Sequence, residues 1–101
     1  MRNHGRQRWT EVTSRSGQPG HPLRVLVMTE DLEPGPDGDA YGCLLSGYDR
    51  QGERRTQIWH VSFPDAEAWA QLEYGADSLG RWLRIPENVV DAAAYALQEA
   101  G

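Results

Sequence analysis

The chain has 101 residues, with ten basic and fifteen acidic side chains and a formal net charge of −5, the size of one domain. Leu, Ile, Val and Phe together number only 18, so the four Trp and four Tyr must help build the core. A lone Cys excludes an internal disulfide and a Cys-rich zinc site, no apolar run reaches membrane-spanning length, and no signal-peptide pattern follows Met1; a soluble cytoplasmic protein with no membrane partner is expected.

Residues 1–7 are polar and aperiodic, and are expected to form a disordered tail ahead of a single domain over 8–101. Residues 8–15 (RWTEVTSR), rich in Thr, Val and Trp, read as a first strand, and SGQPGHP then breaks the chain. Residues 23–29 (LRVLVMT) are the strongest strand. Leu23, Val25 and Val27 line one face and Leu26 and Met28 the other, which suits a central strand covered on both sides. An acidic turn region follows over 30–40 (EDLEPGPDGDA), and residues 41–48 (YGCLLSGY) read as a third strand softened by two Gly. The DRQGERR segment supplies a hairpin turn into a fourth strand over 55–63 (RTQIWHVSF). Trp59, Val61 and Phe63 would share one face of it, and Ile58, His60 and Ser62 the other.

The period then changes. Pro64 and Asp65 open a helix with Ala66, Trp69, Leu72 and Ala76 as its buried stripe and Gly75 at its end. Residues 79–85 (LGRWLRI) stand between strand and helical turn, with strand preferred. Pro86 and Glu87 open a second helix to about Glu99, with Val89, Val90, Ala93, Ala96, Leu97 and Ala100 inward. The expected architecture is α+β: an antiparallel β-meander of four, possibly five, strands with two C-terminal helices packed on one face.

Charge is segregated along the chain. Arg2, Arg6, Arg8, Arg15 and Arg24 face only Glu11 in the first 25 residues, whereas residues 26–40 carry five carboxylates and no cation. Arg50, Arg54 and Arg55 make the hairpin basic, and beyond residue 64 only Arg81 and Arg84 oppose seven carboxylates. Every cation is Arg, as a GC-rich bacterial genome would produce, so lysine Schiff-base and general-base chemistry is excluded.

Catalytic signals are sparse. Cys43 lies in an apolar strand and reads as a small core hydrophobe. His4 and His21 fall in loose segments; His60 alone sits where geometry is fixed, with Ser62 two residues on but no carboxylate at a recognisable spacing. The acidic cluster Asp31, Glu33, Asp37 and Asp39 fails the calcium-loop register, because Gly35 and Pro36 occupy the fifth and sixth positions counted from Asp31. No phosphate loop is present, and no cofactor is expected.

Two binding classes compete with each other and with a small enzyme using His60. The first is a non-catalytic protein-binding domain: a regulator, an inhibitor, an immunity-type antagonist or a homodimeric interaction protein, whose partner is another protein or itself. Trp82, with Arg81 and Arg84, and the aromatics Trp9, Tyr48 and Tyr95 are its candidate contact residues, since Trp, Tyr and Arg dominate interface energetics. The second is single-strand nucleic-acid binding through Tyr41, Trp59, Arg50, Arg54 and Arg55, by stacking and phosphate contacts. Net negative charge disfavours it. In the competing core arrangement, Trp59 and Trp69 pack together, strand against helix.

Overall fold

Alternating apolar side chains on both sides of one strand require cover on both sides, and the fold supplies it. A computed structural model describes residues 6–13, 23–31 and 42–101. Strand β2 (Leu23–Asp31) lies in the middle of a five-stranded antiparallel sheet of order β4-β3-β2-β1-β5. Its neighbours are β1 (Gln7–Glu11) and β3 (Gly42–Asp49), and the edges are β4 (Arg54–His60) and the two-residue β5 (Leu83–Arg84). Leu26 and Met28 point into one core with Val12, Cys43 and Leu45; Val25 and Val27 point into a second with Trp9 and Ile85.

Each core has its own helix. Ala66 and Ala70 of α1 (Phe63–Tyr74) close the Leu26 side, and Ala96 of α2 (Ala92–Ala100) closes the Val25 side. The antiparallel sheet with two C-terminal helices packed against it is therefore as expected, but the helices take opposite faces rather than one. Small residues at the contacts let both helices approach the sheet closely, which suits a chain short of large aliphatics.

Local signals explain most boundaries. The Ser62 hydroxyl accepts from the Asp65 amide (3.3 Å), Pro64 sits in the first turn of α1, and Gly75 ends it at φ 90°. The second helix starts later than Pro86 suggested: the Asp91 carboxylate caps it through the Ala94 amide (3.1 Å), and residues 86–90 form a turn. Val90, expected inside, is 99% exposed in that turn, and Leu72, also expected inside, is 87% exposed on the outer side of α1. Phe63, Trp69 and Tyr74 pack inward around Ala66 and Ala70 instead. Residues 79–85 do run as an edge beside β1: Leu79 bridges Val12, and Trp9 pairs with Leu83. The first strand opens at Gln7, inside the segment expected to be a tail, and stops at Glu11 rather than residue 15. The fourth stops at His60, so Phe63 belongs to α1.

Arg24 ties the second helix to the sheet. Its guanidinium donates to Glu11 Oε2 (2.8 Å) and to the Ala100 carbonyl (2.7 Å), placing a cation at the negative end of α2.

Candidate functional site

The two helices cover unequal parts of the sheet. On one face, α1 spans β2, β3 and β4; on the other, α2 lies over β2 and β1 and, among the described residues, leaves the β3–β4 half open. Trp59 occupies that open half. It pairs across the ladder with Leu44, and its indole lies so close over Gly42 that no Cβ fits beneath it. At 56% exposure it is the most solvent-exposed of the described aromatics. The expected packing of Trp59 on Trp69 does not occur, because the two project from opposite faces. Trp69 instead meets His60 (centroids 5.4 Å) and Tyr74 (5.9 Å).

Beside Trp59, Ile58 (37%) and Val61 (63%) are also open to solvent. Ile58 belongs to β4 and Val61 follows its end; among the described residues this seven-residue strand is hydrogen-bonded only to β3. Residues 56–60 of this edge (TQIWH) carry no Lys, Arg, Asp, Glu or Pro, the devices that ordinarily block strand addition. The preceding hairpin is cross-linked by side-chain hydrogen bonds. Asp49 Oδ1 accepts from the Gln51 and Glu53 amides (2.9 and 3.0 Å), Oδ2 accepts from Arg55 Nε (2.8 Å), and Gly52 supplies the φ of 86° that the turn needs. These bonds, led by the Glu53 amide, hold the Asp49 carboxyl below its usual 3.8.

A second surface lies on the α1 side. An open groove of about 410 Å³ runs between β1, α1 and the segment before β5, lined by Arg8, Phe63, Glu67, Gln71, Arg81 and Trp82 among others. The Arg8 guanidinium stacks 4.0 Å over the Phe63 ring, and Trp82 meets Phe63 edge-on (6.2 Å, 77°). Arg84 stands directly opposite Arg8 in the β1–β5 pair. Among the described residues no ion pair engages Arg8, Arg81 or Arg84.

The candidate protein-contact residues are thus divided. Trp82 and Arg81 line the groove and Arg84 is exposed beside it, whereas Trp9 is 5% exposed in the opposite core and Tyr48 and Tyr95 pack against that core. Trp9 is a core residue, not a spare aromatic. Of the nucleic-acid set, Tyr41 lies outside the described residues, as does most of the acidic segment 30–40. Arg50 and Arg54 are exposed around the hairpin, and Arg55 is bound to Asp49 and, at 3.6 Å, to Glu53.

His60 does have catalytic residue types beside it. Glu30, Cys43 and His60 form a row across β2, β3 and β4 in register. The thiol sits in the middle, fully buried, and burial followed by the nearby Glu30 carboxylate pushes it up to about 11, so it stays protonated. His60 Nε2 is buried with no hydrogen-bond partner, and its ring rests on Trp69 rather than beside a carboxylate. No three His, Cys, Asp or Glu among the described residues are placed to hold a metal, and no helix there is long and apolar enough to cross a membrane. Comparison with protein-family models, curated proteins and solved structures finds no match for this chain.

Proposed function

We propose that this protein works through protein contacts rather than chemistry, and that it self-associates by adding a second copy's β4 to its own. The observation that carries this reading is the edge of β4, uncharged over residues 56–60 and without a second strand partner among the described residues, with Ile58, Trp59 and Val61 exposed within four residues. Antiparallel pairing of two such edges about a two-fold axis satisfies the open backbone groups of both. The same pairing sets the Arg54–Arg55 end of one strand against the His60–Val61 end of the other, so the arginines do not face each other. Each Trp59 would gain cover on the half of the sheet that α2 leaves open. The patch is small, which places the expected association near the micromolar range.

Sedimentation equilibrium between about 1 and 500 μM brackets that range. A dimer for the parent chain and a folded monomer for Ile58→Lys and Trp59→Lys are expected; a parent chain that stays monomeric throughout overturns the reading. Single-strand nucleic-acid binding through the same hairpin has less support, because Arg55 is committed to Asp49 and Glu53.

A further inference from the structure

The groove beside α1 sits on a different surface from the β4 edge and gathers arginines that, among the described residues, have no ion-paired carboxylate. Like charges directly opposite in an antiparallel pair destabilise it, yet Arg8 faces Arg84 across β1 and β5, with Arg81 on the groove wall nearby. Among the described residues, no carboxylate pairs with any of the three. An external anion would relieve the repulsion.

The geometry also readies one guanidinium for such an anion. The guanidinium carbon of Arg8 lies 4.0 Å over the Phe63 ring, and among the described residues no ion pair engages its N–H fork, the donor array that grips a carboxylate at two points. Trp82, held edge-on to Phe63, adds aromatic surface to the same groove. The opposite wall belongs to α1, where Glu67 and Gln71 lie one turn apart. Glu67 on the same wall disfavours a ligand of high negative charge such as a chain of closely spaced phosphates more than one carrying a single carboxylate. Because the groove is open, a free small molecule would keep much of its surface in water, and a ligand that continues along the surface gains more.

We infer that this groove binds a peptide segment of a partner protein in which a Glu or Asp carboxylate, seated on Arg8 and Arg81, adjoins an aromatic side chain packed on Trp82. Hydrogen bonding from the peptide to Glu67 and Gln71 would fix its direction.

The test is an NMR titration of the full-length, ¹⁵N-labelled protein, following the Arg8 Nε–H and the four tryptophan indole signals. The probes are acetyl-Gly-Glu-Phe-Glu-Gly-amide, the same peptide with Gln in place of Glu, and a short oligothymidylate. The acidic peptide is expected to shift Arg8 and Trp82 saturably while leaving Trp59 still, with the Gln peptide binding about tenfold or more weakly. Arg81→Ala, a change at an exposed side chain, is expected to weaken binding about three- to fivefold. Arg8→Lys keeps the charge but loses the fork, and is expected to cost more. No shift by about 5 mM peptide, equal shifts from the Gln peptide, or tighter binding of the oligothymidylate at the same signals would each overturn the inference. If Arg8→Lys fails to fold, Arg81→Ala and the peptide pair still decide it. Because the readout is at Arg8 and Trp82, failure here is separate from failure of self-association at β4.

Discussion

Gly42→Ala tests how the exposed Trp59 is held. A Cβ at position 42 would overlap the Trp59 indole, so the ring must leave or the strand must shift. With 56% of Trp59 already exposed, what remains is less than half of its surface. Taking about 100 Å² lost at about 25 cal/mol/Å² gives about 2.5 kcal/mol. Replacing Gly by Ala within a strand returns about 0.5–1 kcal/mol in reduced chain entropy, leaving a net destabilisation of about 1.5–2 kcal/mol. Urea unfolding of Gly42→Ala, Trp59→Ala and the double variant reads this directly, at a concentration low enough to exclude association. In the Trp59→Ala background the Gly42→Ala change should be neutral or stabilising, because the indole that the new Cβ would meet is gone. A Gly42→Ala variant as stable as the parent, or one equally destabilised with and without Trp59, would refute the packing described here.

The remaining predictions concern the hairpin, the second helix and the thiol. Asp49 has a folded pKa below its unfolded value, so its contribution to stability is present above about pH 4 and is lost as pH falls through the lower folded pKa. Asp49→Asn should therefore unfold at lower urea than the parent at pH 7, with the gap closing in acid; a pH-independent gap would contradict the carboxylate's role. Arg24→Ala should cost about 1 kcal/mol by thermal or urea unfolding and loosen the last turn of α2, seen as faster exchange of its amides. Cys43, fully buried and shifted to about 11, should react with iodoacetamide at pH 8 only as fast as the protein opens. Reaction at a free-thiol rate would show that the Leu26-side core is not closed.

Much of this fold was legible in residues 23–29. Apolar side chains on both faces mark a strand covered twice, and β2 is covered twice. Placing both helices on one face was inconsistent with that signal: Leu26 and Met28 need one cover, Val25 and Val27 another. Helix faces were harder to read because their buried contacts are alanines. Ala66, Ala70 and Ala96 carry little periodic signal, so the larger Leu72 and Val90 drew the predicted stripes toward solvent. Pro86 resembled a helix start, but the cap that closes a hydrogen bond is Asp91.

The candidate surfaces were legible in part. Trp82 and Arg81 were singled out, and both line the groove, but its key contact, Arg8 on Phe63, joins residues 55 positions apart with no local pattern. For Trp59 the sequence leaves two readings, an exposed stacking surface and a core contact with Trp69, because strand alternation shows which residues share a face without showing which face a helix covers. Its neighbour in space, Gly42, was the available hint: a strand glycine often marks the close approach of another group.

Amide hydrogen exchange of β4 as a function of protein concentration tests the central claim most directly. Self-association predicts that part of the amides over residues 56–60, those on the side away from β3, gain protection as concentration rises. Their partners in the β3 ladder should be protected throughout, and Trp59→Lys should abolish the dependence. Outward amides that exchange at the same fast rate at every concentration would contradict the account.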